Sequence, residues 1–130
     1  MEKRIINPWQ WQDNFGYSQA IEVKHTEGTL YCAGQAAMNA EGQPVAGSMS
    51  EQIKLSLENV HKVIMQAGYH PANIVRLNYY TTSIPLFFEA FGEVINWLKA
   101  HNCTATGTLL QVGALAFPEL SVEIEATVVK

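Results

Sequence analysis

At 130 residues the chain has the length of one domain, spanning 1–130, and folding at this size buries roughly two-thirds of the surface of the unfolded chain. Hydrophobic residues make up 48% and the net charge is −4, with no cluster of Lys or Arg. That excludes a disordered chain and argues against nucleic acid or an anionic membrane surface as a partner. Two cysteines, Cys32 and Cys103, are too few for a disulfide framework. No run of 18 apolar residues is present to span a membrane, and Met1 to Pro8 lacks the apolar stretch of a signal peptide. A soluble cytoplasmic protein with reduced thiols is expected.

In chain order, Asn7 to Gly16 reads as a loop, with Trp9 and Trp11 expected as anchors that pack it down or, alternatively, as ligand-stacking rings. Tyr17 to Lys24 reads as a strand. His25-Thr26-Glu27-Gly28 is a turn with Gly28 available for positive φ, and Thr29 to Ala33 is a second strand, so a hairpin is expected here. Asn39 to Pro44 is another turn.

Next comes a helix. Ser48 and Glu51 have capping-box spacing, Ile53, Leu57, Val60, Ile64 and Ala67 form one apolar stripe, and Gly68 is placed to end it. Lys54, Glu58 and His61 fall on the solvated side. Ile74 to Thr82 is a strand with Val75, Leu77 and Tyr79 on one face and Arg76, Asn78 and Tyr80 on the other. A second helix starts after Ser83 as N-cap with Pro85 in its first turn, and its buried stripe is Ile84, Phe87, Phe88, Phe91, Ile95 and Leu98. His101 near its end needs no role beyond complementing the helix dipole. Thr106 to Ala114 and Leu120 to Val129 are the closing strands.

The last strand carries the most information. Val122, Ile124, Ala126 and Val128 share one face and must be core, while Glu123 and Glu125 share the other. An ionised carboxylate is costly to bury, so the pair lies on a solvated sheet face, at a subunit boundary or in a polar pocket. The order β-β-α-β-α-β-β is an α+β domain: a mixed sheet with two helices on one face. The other face then needs a cover, and self-association is the physical expectation.

Signatures of common chemistries are missing. There is no P-loop, GxGxxG or CxxC. The four histidines have no HxxxH or HxH spacing, so no metal is expected, and nothing points to a cofactor. Cys32 and Cys103 read as inert buried thiols. What remains is a set of polar strand residues, Glu123, Arg76, Asn78, Gln111 and Tyr80, able to orient a small molecule and activate a water.

Four segments, Gly16-Tyr17-Ser18-Gln19-Ala20, Tyr31-Cys32-Ala33-Gly34-Gln35, Gln52 to Val60 and Val122-Glu123-Ile124-Glu125-Ala126, together resemble the Rid family over nearly the whole chain. These are the YjgF-type reactive-intermediate deaminases, once labelled L-PSP endoribonucleases. Asn7-Pro8-Trp9 and Arg76 to Thr82 look like a side branch. The resemblance implies a chorismate-mutase-like fold (bacillus type) and a homotrimer with clefts between subunits. It also implies hydrolysis of enamines or imines to a carbonyl compound and ammonia. In that chemistry an arginine grips the substrate carboxylate bidentately and a glutamate positions the attacking water.

Carried over residue by residue, Tyr17 matches the family's pocket tyrosine, Glu123 its water-positioning glutamate, and Gly34 and Gln35 match directly. Ala33 stands where the family has a serine, Gly107 where it has the arginine, and Leu109 where a cysteine is often found. Arg76 is the last arginine in the chain, so no register shift restores the missing one. Loss of a bidentate guanidinium from a desolvated site weakens carboxylate binding by about 2–5 kcal/mol. Arg76 substitutes if its face lines the same cleft; alternatively it pairs with Glu123 or Glu125. These residues suit two functions: hydrolysis of an imine less anionic than the family's usual substrate, or a trimeric small-molecule sensor that catalyses nothing. Ribonuclease action rests on the old family label alone, and the acidic charge speaks against it.

Overall fold

The structure, a computed structural model, describes residues 1–130. Seven strands and three α-helices run in the order β1 (Glu2–Ile6), β2 (Ala20–Lys24), β3 (Thr29–Tyr31), β4 (Gln35–Ala36), α1 (Met49–Gln66), β5 (Ile74–Thr81), α2 (Ile84–Glu89), α3 (Phe91–Ala100), β6 (Leu109–Gln111) and β7 (Val122–Val129). The main sheet has the order β3-β7-β5-β6, with β4 also on β7. Only β5 and β6 run parallel, joined by the α2–α3 crossover; the other pairings are antiparallel. The sheet is therefore mixed, as the element order implies.

Its core lies between α1 and β7. Ile53, Leu57, Val60 and Ile64 are at most 1% exposed, and they pack with Val122, Ile124, Ala126 and Val128 in one cluster. The helix ends are chemically set. Ser48 Oγ accepts from the Glu51 N–H at 3.1 Å. Gly68 is left-handed at φ +76° while the Tyr69 N–H reaches the Ile64 carbonyl and the Gly68 N–H that of Met65, the paired bonds of a Schellman ending. Ala67 lies past the last turn and is exposed, so the stripe stops at Ile64.

The fold departs from the sequence expectations at several points. The first strand, β1, has no counterpart among them; it pairs with β2 in a separate two-stranded sheet, so β2 and β3 do not form a hairpin. Both β3 and β2 find longer partners elsewhere, and the positive φ in their connection falls on His25 rather than Gly28. Trp9 and Trp11 are exposed and stack on each other, while Gln12 is the residue of that loop that is fully buried. In β5 a bulge between Ile74 and Arg76 hands the core position to Ile74 and pushes Val75 off the core row. The second helix breaks at Ala90, whose φ/ψ of −98°/6° re-phases the turns beyond it. Val94 joins the buried row there, and Phe88 is left 46% exposed. The strand foreseen over Thr106 to Ala114 shrinks to β6, preceded by a bridge of Thr106 to Arg76.

Helices cover one face of the main sheet. The other face, bearing Arg76, Asn78, Tyr80, Glu123, Glu125 and Thr127, carries no helix of its own chain.

Candidate functional site

The sequence-derived site residues fall into two groups on opposite faces of the sheet. On the helical side, Tyr17, Gly107 and Leu109 line a cavity of about 270 Å³. Three segments build it. The loop before β2 turns at Gly16, whose left-handed φ of +73° favours glycine and which packs closely on the Ile95 and Leu98 side chains of α3. That contact sets Phe15 and Tyr17 at the cavity wall. Ser18 then ties the loop to the chain entering β6, with its N–H on the Ala105 carbonyl (3.1 Å) and its hydroxyl on that of Thr104 (2.8 Å). From α2 and α3 come Phe87, Phe88 and Phe91; from β5 come Leu77 and Tyr79.

Gly107 sits where the resemblance looks for an arginine, and its backbone explains the substitution. A Cβ there would collide with the Leu77 carbonyl oxygen. The chain is drawn this close because Thr106 pairs with β5 on both sides, donating to the Val75 carbonyl and accepting from the Leu77 N–H. The next N–H, of Thr108, leaves the ladder and bonds to Asn78 Oδ1 at 3.1 Å.

On the bare face, the two glutamates have different surroundings. Glu125 accepts from the Tyr80 hydroxyl at 2.6 Å and from Asn78 Nδ2 at 3.0 Å. These bonds, the tyrosine's foremost, hold its carboxyl below the usual range, against a smaller opposing effect of burial and with a lesser contribution from Arg76. The same contact raises the Tyr80 hydroxyl pKa. Glu123, opposite Tyr80 and Ala36 in the ladder, makes no hydrogen bond or ion pair within the chain. Its carboxylate lies over the bare backbone of Gly34, where a Cβ would strike it.

Ala33 is exposed in the gap between β3 and β4, beside Gly34. Arg76 is exposed on the same face as the glutamates, with no carboxylate within ion-pair distance. It is four residues, about 13 Å, along β5 from Tyr80, the residue opposite Glu123. Gln111 turns out to be structural: its Oε1 accepts from the Ile84 N–H and caps α2.

Sequence reasoning missed the aromatic wall. Phe88 looks like core from its spacing, and nothing local announces the break at Ala90, beyond which Val94 fills the buried row while Phe88 stands at the cavity. Trp11 was legible only as one of two options; it stands at the wall with its ring 6.2 Å from Tyr17. The histidines are less scattered than their spacing suggests. His61 and His101 meet across α1 and the end of α3 at 5.0 Å, with Trp97 4.4 Å from His101. Burial first, and His61 second, lower the His101 pKa. No three metal-ligating side chains come together, and no helix is long and apolar enough to cross a membrane.

A mixed sheet with helices on one face, an α1 bearing Gln52 and Asn59 as ties to the flanking loops, and a glutamate facing out from the last strand define a class of small α+β proteins. Gln52 Nε2 donates to the Glu119 carbonyl at 2.6 Å, and Asn59 Nδ2 to those of Ala36 and Met38 at 3.0 Å. The chain belongs to the endoribonuclease L-PSP family, the YjgF/Rid proteins, whose model matches residues 12–130. It is 32% identical over 131 residues to human 2-iminobutanoate/2-iminopropanoate deaminase, covering 98% of this chain and 90% of that one. It is 34% identical over 94 residues to "Protein mmf2, mitochondrial" of Schizosaccharomyces pombe, covering 72% and 71%. Among solved structures, the Rid-family protein YyfB of Yersinia pestis, of unknown function, superposes with a TM-score of 0.87 at 35% identity over the full length of both chains. Escherichia coli TdcF with bound serine superposes with a TM-score of 0.70 at 26% identity, covering 88% and 87%.

Proposed function

We infer that the protein hydrolyses a reactive small-molecule imine or enamine to a carbonyl compound and ammonia, in a cleft between subunits of a homotrimer. The observation that carries this reading is Glu123: a carboxylate without a partner in its own chain, beside a neighbouring glutamate held by Tyr80 and Asn78. The deaminase names of the mammalian relatives support the reaction class.

In the proposed reaction Glu123 takes a proton from water as the oxygen attacks the imine carbon. Glu123 delivers that proton to the imine nitrogen, giving the carbinolamine; it then moves the hydroxyl proton to the same nitrogen as the C–N bond breaks, leaving the carbonyl compound and ammonia. Water supplies the oxygen and no redox partner is needed. Glu123 and the cavity lie on opposite faces of one sheet, so the site is complete only when a second copy brings its Glu123, with Ala33 and Gly34, to the mouth lined by Tyr17, Gly107 and Leu109. Arg76 enters this scheme as the cation that a neighbouring copy could turn toward a substrate oxygen. The trimer is tested by sedimentation: a species of threefold chain mass is expected, and a monomer ends the scheme. The proposed compartment is the cytoplasm; the mitochondrial relatives name the alternative that fractionation would reveal.

The test of activity is ammonia release from freshly generated imines, with Glu123→Gln as control. A second reading, a binding protein without catalysis, is favoured by Ala33 and Gly107, which supply neither the hydroxyl nor the guanidinium of the family pattern. It predicts a rise in melting temperature with a ligand that is never converted.

A further inference from the structure

The cavity on the helical face has the wrong walls for a small carboxylate. None of its lining residues is charged. Arg76, the one cation that the resemblance leaves available, projects from the opposite face of β5. An anion seated here would lose its hydration and gain no ion pair from the chain that forms the walls, and a neighbouring copy that brings its Glu123 to the mouth carries its Arg76 about 13 Å away along β5. The rings of Phe87, Phe88 and Phe91 stand 5.8–6.2 Å apart at 51–73° to one another, and Phe15 stands 6.4 Å from Phe88 at 63°. A wall of tilted rings offers faces and edges together, the arrangement that receives another ring edge-on or offset. At about 270 Å³ the space is larger than the roughly 150 Å³ cavity that accepts benzene.

The polar atoms at this wall are few and neutral. Tyr79 lines the cavity, and its hydroxyl makes no hydrogen bond within the chain. Burial, with a smaller contribution from Cys103, raises its pKa far enough to keep it a neutral donor.

We propose that this cavity binds the uncharged aromatic body of the substrate, so that the imines this protein would process are neutral aryl imines rather than imino acids. The inference rests on the cavity being the substrate end of the cleft described above, and it names the substrate class for that cleft. Hydrolysis of such a ketimine consumes one water and yields the aryl ketone and ammonia.

Calorimetric titration of the whole protein with acetophenone and with pyruvate tests it. Acetophenone is expected to bind at least about tenfold more tightly than pyruvate. Phe88→Ala, at a half-exposed position, should weaken acetophenone about three- to tenfold. Thr108→Trp, placing a ring at the exposed mouth, should abolish binding with the melting temperature held; if that variant does not fold, Phe88→Ala alone decides. Tighter binding of pyruvate, no binding of acetophenone, or affinity unmoved in Phe88→Ala overturns the proposal. Acetophenone binding with no ammonia from any of the freshly generated imines leaves the aromatic site standing and removes the hydrolase reading. Glu123-dependent hydrolysis of pyruvate imine without acetophenone binding does the reverse.

Discussion

The two faces of the main sheet are built on opposite principles. Behind β5 and β6 the helices and the loop before β2 line an apolar cavity with no charged wall; on the opposite face of the sheet, two glutamates of β7 and an arginine and an asparagine of β5 stand on a surface that no helix covers. A single strand serves both: Tyr79 looks into the cavity, while its neighbours Asn78 and Tyr80 hold Glu125. Asn78 also joins the two sides directly, since its Oδ1 anchors the Thr108 N–H at the cavity rim. In the proposed scheme this is a division of labour, in which one face selects by shape and apolarity while the other supplies the ionised group.

The sharpest way to break that division is Glu123→Gln. Ammonia release should fall by about 10²- to 10⁴-fold with little change in the urea midpoint, because the carboxylate has no partner to lose within its chain. Undiminished activity would shift the chemistry to the helical face. The same substitution at Glu125 should do the opposite, lowering stability more than turnover.

Two glycines, one on each side, give the next contrast. Gly107→Ala drives a Cβ into the rigid Leu77 carbonyl and should cost about 3 kcal/mol of stability by denaturant titration. Gly34→Ala meets the flexible Glu123 side chain instead. It should leave the melting temperature nearly unchanged and lower activity about 10- to 100-fold by displacing the carboxylate. Equal thermal losses in both variants would mean that Glu123 is as rigidly held as the backbone.

Acid titration separates the faces by smaller effects. His101, on the helical side, has a lowered pKa in the folded chain, so the unfolded chain binds the proton first. Stability should therefore begin to fall as pH drops below about 6.5, and His101→Asn should flatten that step. Glu125 also has a lowered pKa. Its contribution is complete above about pH 4.3 and is lost only as pH falls further, and Tyr80→Phe should shrink this second step. A single loss confined to one window in the wild type would contradict the assignment.

Much of the scaffold was legible along the chain. The alternation of β7 separated core from carboxylates residue by residue, and the spacing of α1, with Ser48 and Gly68 at its ends, gave a helix that the structure repeats. These features are local: period, cap and turn chemistry depend on a few neighbouring residues. The bulge at Val75, the break at Ala90 and the pairing of β1 with β2 were not legible, because each depends on which distant segment offers a better partner. The break matters most for the site, since beyond it Val94 takes the buried row and Phe88, just before it, stays half-exposed at the cavity wall.

The chain's own order of residues was enough to establish the α+β class, the family likeness and the two-sidedness of the last strand, and to point to Gly107 as the place where the resemblance expects a guanidinium. It could not say why position 107 needs a glycine or which glutamate is free. Those answers required the packed molecule, in which the Leu77 carbonyl fills the place of a side chain at 107 and Tyr80 and Asn78 occupy Glu125 while passing Glu123 by. Contacts between residues dozens of positions apart are set by how whole elements dock, and no local period carries that information.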